Sequence, residues 1–249
     1  MFDPKHLLEQ FLGGQGDRAA WADERGNPQS GGAGSGGGIM DRVGGYARDN
    51  PMLTGGIAGG LAGLLLGRGF GGDLLKLGGM AVIGGLAYKA YRDYQASQQA
   101  DPPVAGYSDP GGFSLPPTDS PFATGNAPQG QNQLAETLIV AMIAAAKADG
   151  HIDAEERGRI YQRLEEGGLQ PEEVAFLQRE LTEPVDIERI VAGATTKEAG
   201  IEIYAASLMA VRTDTPQERE YLATLASRLN LEPGLVASIE KTVDAVMVK

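Results

Sequence analysis

Residues 50–67 form a run of eighteen residues that contains six glycines and no charged side chain. Four of these glycines recur at every fourth position, along one face of a helix: Gly55, Gly59, Gly63 and Gly67. Each glycine costs a helix in water about 1 kcal/mol relative to alanine, whereas lipid enforces internal backbone hydrogen bonding. A helix of this length spans about 27 Å, close to the thickness of a bilayer core. The run therefore predicts a membrane-associated helix with a close-packing face.

A second apolar stretch, residues 74–88, follows a short charged loop. The two stretches predict a helical hairpin, and the basic residues that flank it place both ends in the cytoplasm: Arg42, Arg48, Lys89 and Arg92. Three interpretations of the glycine-rich segment, residues 39–99, stay open. It inserts into or associates with a membrane, it forms a glycine-zipper homo-oligomer without lipid, or it is a disordered low-complexity tract.

Two other regions have the composition of flexible chain. Residues 1–38 begin with a short amphipathic segment, which predicts a helix that docks on a surface such as the membrane, or else a frayed terminus. The rest of that region is a Gly/Ser-rich linker. Residues 100–132 hold seven of the fourteen prolines and predict a disordered Pro/Gly linker.

Charge and residue types argue against several classes of function. Residues 133–249 carry twelve bases and twenty-one acids, which argues against nucleic acid as a partner, because phosphate binding requires clustered Lys and Arg. The chain has no cysteine, and its two histidines, His6 and His151, are far apart in sequence. No His–carboxylate pair, phosphate-binding loop or nucleophile motif is recognisable. We therefore expect no enzymatic activity.

Residues 133–249 predict a compact all-α domain of about seven helices. The first is apolar on all sides, so we expect it to lie buried at the centre. Capping residues or prolines predict where the other six begin: near Asp153, Pro171, Asp186, Thr196, Thr215 and Pro233. The candidate core residues are Leu138, Val140, Ile143, Ile160, Leu164, Val174, Leu177, Ile203, Leu208, Leu222, Leu225, Leu229, Val236 and Ile239.

Two turns of this domain share a plan, in which an apolar helix is followed by Asp149 or Asp214 and then by an acid-capped helix. The first turn contains the motif A-x-A-D-G-H-I-D-x-E-E, at residues 146–156, which resembles the signature of the TerB-like, tellurite-resistance-associated helical domains. With its glycine-rich N-terminal half, the chain also resembles the YebE-type bacterial inner-membrane proteins, a family of unknown function. The resemblance implies a stress-response role and an acidic surface that binds a divalent, calcium-like cation through five residues: Asp149, Asp153, Glu156, Asp214 and Glu218.

Two explanations of these acids stay open. Asp153, Glu156 and Glu218 also fit the role of helix caps, because acids at helix N-termini interact favourably with the dipole. As ligands, the four carboxylates of residues 149–156 suit a hard cation, although the spacing is not that of an EF-hand. No cofactor is certain from the sequence.

These features favour a non-enzymatic, membrane-tethered binding or scaffold module with an unidentified protein partner. We expect it at a bacterial inner membrane, with its C-terminal domain in the cytoplasm. The alternative is a divalent-cation sensor or buffer that uses the two acidic turns and self-associates through its glycine tract.

Overall fold

The computed structural model describes residues 2–12, 79–98, 115–148, 169–211, 213 and 215–247. Over these residues the chain has eight α-helices and no strand, so the predicted all-α class is confirmed. The helices are α1 (Pro4–Leu12), α2 (Gly79–Gln98), α3 (Gln131–Ala146), α4 (Pro171–Thr182), α5 (Ile187–Ala192), α6 (Lys197–Met209), α7 (Pro216–Arg228) and α8 (Pro233–Met247), with a 3-10 turn at Thr124–Asn126.

Helices α3 and α6 form the centre of the bundle and pack against each other. Every residue of α3 from Leu138 to Ala146 is buried, and so is every residue of α6 from Ala199 to Met209. A helix without a polar face must be covered on all sides, and here α1, α2, α7 and α8 supply the cover. The position of α3 agrees with the prediction of a central, buried first helix.

Local signals set where the C-terminal helices begin. Pro171, Pro216 and Pro233 each stand at the first position of a helix, where the missing N–H costs no hydrogen bond. The carboxylate of Asp186 accepts a hydrogen bond from the Arg189 amide at 3.0 Å and thereby caps α5. These starts agree with the predicted ones. The helix predicted from Asp153 lies outside the described residues.

Most of the predicted core lies inside the protein. Nine of the fourteen candidates are buried: Leu138, Val140, Ile143, Leu177, Ile203, Leu208, Leu222, Leu225 and Ile239. Val174, Leu229 and Val236 are partly buried and pack against that core. Ile160 and Leu164 lie outside the described residues.

The two N-terminal helices share this core, which differs from the predicted division into a membrane segment and a separate C-terminal domain. Helix α2 packs against α8 and α6, and α1 packs against α3 and α2. The approach of α1 depends on Gly79, because a Cβ there would lie 2.8 Å from the carbonyl oxygen of Leu8. Glycines that allow close helix contact in lipid allow it equally inside a bundle, so their spacing alone does not distinguish the two.

Part of the predicted linker, residues 115–130, also packs on the bundle. Phe122 is 2% exposed, and its ring lies 5.9 Å from that of Tyr88 and 5.6 Å from that of Tyr91. The side-chain amide of Asn126 donates two hydrogen bonds, at 2.8 and 2.9 Å, to the backbone carbonyls eight and six residues earlier. A single aromatic side chain thus anchors a Pro-rich segment whose composition predicts disorder.

Among the residues that the structure describes, no helix combines the length and the apolar character needed to cross a bilayer. The run 50–67 lies outside them, and with it the predicted helix-packing glycines Gly55, Gly59, Gly63 and Gly67. The membrane association of that run stays a prediction.

Candidate functional site: the groove at the end of α3

Lys147 joins the end of α3 to the end of α4. It is the first residue after α3, and its ammonium group donates hydrogen bonds to the carbonyl oxygens of Glu180, at 2.8 Å, and Glu183. These carbonyls lie at the C-terminus of α4, where a cation interacts favourably with the helix dipole. Burial lowers the pKa of Lys147, and the charges of Glu180 and Glu183 oppose that shift. The lysine therefore fixes the distance between the two helix ends.

An ion pair between Arg189 and the buried carboxylate of Glu180 fastens α5 to the same place. The side chain of Glu180 is 5% exposed, and its carboxylate oxygens accept hydrogen bonds from the Arg189 guanidinium at 2.8 and 3.1 Å. Arg179 donates a further bond at 3.1 Å. The hydrogen bonds that Arg189 donates to Glu180 raise the pKa of Arg189. Charge-assisted, bidentate bonds of this kind fix geometry as well as adding stability.

Between these fastened helix ends lies a groove of about 590 Å³, which we call the α3–α5 groove. The residues that line it at the end of α3 are Val140, Ile143, Ala144 and Lys147, and those from the end of α4, the α4–α5 turn and α5 are Glu180, Glu183, Pro184, Val185, Asp186, Ile187, Glu188 and Arg189. Val185 on this lining is one of two large hydrophobic residues exposed among the described residues; the other is Leu115.

Of the five predicted cation ligands, the structure describes Glu218. Its carboxylate accepts a hydrogen bond from the Thr215 amide at 3.0 Å, and its own amide donates to the Thr215 hydroxyl at 3.1 Å. This reciprocal pair is a capping box, so Glu218 has the structural role that the cap explanation requires. The remaining four lie outside the described residues: Asp149, Asp153, Glu156 and Asp214. Within the described ranges, no cluster of three or more His, Asp or Glu residues is arranged to hold a metal ion.

We expect divalent cations to leave the thermal stability of the full chain unchanged. A ligand that binds only the folded state raises the melting temperature once its concentration exceeds its dissociation constant, whereas an acid that only caps a helix gives no such rise. Melting curves with EDTA, and with excess calcium or manganese, measure this directly. A rise in the melting midpoint that Asp149→Asn and Asp214→Asn together abolish would establish the cation-sensor alternative instead.

Several charged side chains that the sequence analysis does not single out are buried or paired across the bundle. The imidazole of His6 lies 2.9 Å from the carboxylate of Glu173, which is 2% exposed and also accepts a hydrogen bond from the Gln170 amide. This His–carboxylate pair, which the sequence analysis does not find, ties α1 to α4 across 167 positions. Glu202 is likewise buried. One signal was available: Glu202 interrupts an otherwise apolar helix, α6.

Comparison with known proteins gives a family but no described activity. The profile of the family described as "Protein of unknown function (DUF533)" matches residues 51–243. A protein of Yersinia enterocolitica, described as an uncharacterized protein in the ampR 5' region, is 29% identical over 112 residues, which cover 45% of this chain and 81% of that protein. No solved structure matches. The implied tellurite and stress-response role therefore stays a prediction.

Proposed function

We propose that this chain, which belongs to the DUF533 family, a TerB-like family of proteins of unknown function, is a non-enzymatic, membrane-tethered binding module. In this proposal it lies at the inner membrane, like the YebE-type proteins that it resembles, with the bundle on the cytoplasmic face. Residues 50–67 form the tether, and the α3–α5 groove binds a protein partner.

The α3–α5 groove is the observation that carries the binding role. The side of the groove that α3 forms is apolar, because the residues of α3 that line it are Val140, Ile143 and Ala144. The hydrogen bonds of Lys147 and Arg189 hold its walls in place before any partner arrives. Pre-organised walls reduce the entropy cost of association. An apolar side chain of a partner fits this groove, with polar contacts to the charged residues around it.

The tether places this groove near the membrane. Helix α2 packs on the bundle and begins at Gly79, so eleven residues separate it from the end of the run at Gly67. An extended chain of that length reaches at most about 40 Å. The partner that this arrangement suits is therefore itself a membrane protein or a protein recruited to the membrane surface.

Two matched substitutions test both parts of the proposal in the full chain. Val185→Glu puts a charge on the lining of the groove, whereas Leu115→Glu puts the same charge on an exposed apolar residue that does not line it. We expect both variants, like the unaltered chain, to stay in the membrane pellet after a carbonate wash of the bacterial host. After crosslinking and mass spectrometry, the partner recovered with the unaltered chain and Leu115→Glu should be missing from Val185→Glu.

The two measurements test the tether and the groove independently. Release of the unaltered chain by carbonate would rule out the proposed tether without affecting the proposal for the groove. Equal recovery of the same partner by Val185→Glu and Leu115→Glu would remove the groove as the binding site. Circular dichroism of both purified variants checks that the fold is retained, and we expect no difference because both positions are exposed.

A further inference from the structure

Helix α2 approaches the bundle most closely at Gly84. A Cβ at this position would lie 2.7 Å from the carbonyl oxygen of Phe122 and 3.2 Å from the carboxylate oxygen Oε1 of Glu202. The acid therefore lies in the interface between α2 and α6, where the backbone of α2 lies against it. Any change in its charge acts directly on that interface.

Glu202 is an acidic residue in an apolar environment. It is 5% exposed, and its neighbours Ile201 and Ile203 are fully buried. No hydrogen bond joins its carboxyl group to another residue in the described ranges. Burial raises the pKa of Glu202 to about 8, and the like charge of Glu198, one turn earlier, adds to the rise. At neutral pH the carboxyl group is therefore largely protonated.

The elements around α6 supply no compensating cation among the described residues. On α2, Lys89 pairs with Asp93, and Arg92 lies over the ring of Tyr88. At the start of α6 itself, Lys197 pairs with Glu232. Three acids of neighbouring helices have other partners: Glu136 of α3 lies near Arg189, Glu218 of α7 belongs to its capping box, and Glu240 of α8 accepts from Tyr204. Ionised Glu202 would thus be an unpaired buried charge, which is strongly unfavourable.

We infer that protonation of Glu202 controls whether α2 is docked on the bundle: the neutral carboxyl group allows docking, and the ionised one drives α2 away. Release lets water reach the carboxylate. It also breaks the contacts of α2 with α8, including the hydrogen bond from the Ser238 hydroxyl to the Ala90 carbonyl at 2.8 Å. The undocked helix exposes an apolar face: Met80, Val82, Ile83 and Leu86.

The sign follows from proton binding. The docked state holds its proton up to about pH 8, whereas a solvated glutamate in the undocked state releases it near its ordinary value of about 4.3. Between these values the docked state binds more protons, so its population relative to the undocked state falls about tenfold for each unit rise in pH. Above about pH 8 both states are ionised and the ratio levels off.

Because the chain has no cysteine, a pair of nitroxide labels can report this motion in the full chain. Ser97→Cys on α2 and Lys241→Cys on α8 are both exposed positions. Pulsed electron paramagnetic resonance from pH 5 to pH 9 should show one short distance at low pH and a growing, longer and broader population as the pH rises. In the same labelled chain, Glu202→Gln should keep the short distance at every pH.

A labelled chain that keeps one distance at every pH overturns the inference, and so does a Glu202→Gln variant that opens at the same pH as the unaltered chain. If Glu202→Gln folds poorly, Glu198→Gln replaces it. Removing the like charge of Glu198 lowers the cost of ionising Glu202 in the docked state, so at pH 9 a smaller fraction of this variant than of the unaltered chain should be open. An open fraction that does not change would count against the inference. Circular dichroism separates release from unfolding: loss of helical signal together with opening would mean that the whole bundle unfolds, and would also count against the inference.

Discussion

Replacing Arg189 with methionine is expected to lower the free energy of unfolding by about 2–4 kcal/mol, because it leaves a buried carboxylate short of its main partner. The Glu180 side chain is 5% exposed, and among the described residues the one cation that would still donate hydrogen bonds to its carboxylate is Arg179, which is itself 52% exposed. Arg189 is 40% exposed, so solvent screening places the expected loss below that of a fully buried pair. Urea unfolding monitored by circular dichroism measures the difference.

Two controls separate the buried charge from the loss of an arginine. In the double variant Glu180→Met with Arg189→Met, neither charge of this pair remains, and we expect stability within about 1 kcal/mol of the unaltered chain. Arg228→Met removes an arginine from the exposed pair with Glu188, whose side chains are 56% and 64% exposed, so it should cost less than about 0.5 kcal/mol. Equal losses for Arg189→Met and Arg228→Met would show that burial of Glu180 does not matter.

The sequence predicts those parts of the fold that local chemistry decides. A proline at the first position, or a Thr with a Glu three residues later, needs no distant contact to begin a helix, and the starts at Pro171, Thr215 and Pro233 agree with the structure. The unbroken apolar pattern of α3 likewise requires burial wherever the helix lies. These signals give the fold class and the order of the C-terminal helices.

Contacts between distant segments are not predictable in this way. His6 and Glu173 are 167 positions apart, and no periodic pattern in the sequence indicates that they meet. The same is true of the contact of Phe122 with the tyrosines of α2. The glycine pattern of residues 79–85 suits close packing against lipid, against another copy of the chain or against the bundle, so it does not distinguish these three surfaces. The α3–α5 groove escapes prediction for a related reason, because it arises where three helix ends meet.

Substituting alanine for Gly84 sets two effects of opposite sign against each other, and we expect the steric one to dominate. In an isolated helix alanine is better than glycine by about 1 kcal/mol. In this bundle the added Cβ would lie 2.7 Å from the backbone oxygen of Phe122, and a backbone atom cannot rotate aside as a side chain can. Overpacking of this kind costs about 1–3 kcal/mol, and sometimes more. Together the two effects give an expected net loss of about 1 kcal/mol in the free energy of unfolding.

Gly200→Ala is the matched comparison, since Gly200 lies inside α6 and a Cβ there would find its nearest neighbour, a side-chain atom of Leu229, at 3.6 Å. That is ordinary van der Waals contact, so only the helix preference remains and stability should rise by about 0.5–1 kcal/mol. Opposite signs for the two alanine variants would show that α2 and the turn at Phe122 are in contact in solution. A gain of stability in both would mean that α2 does not pack where the structure places it, and the proton-linked docking through Glu202 would lose its interface.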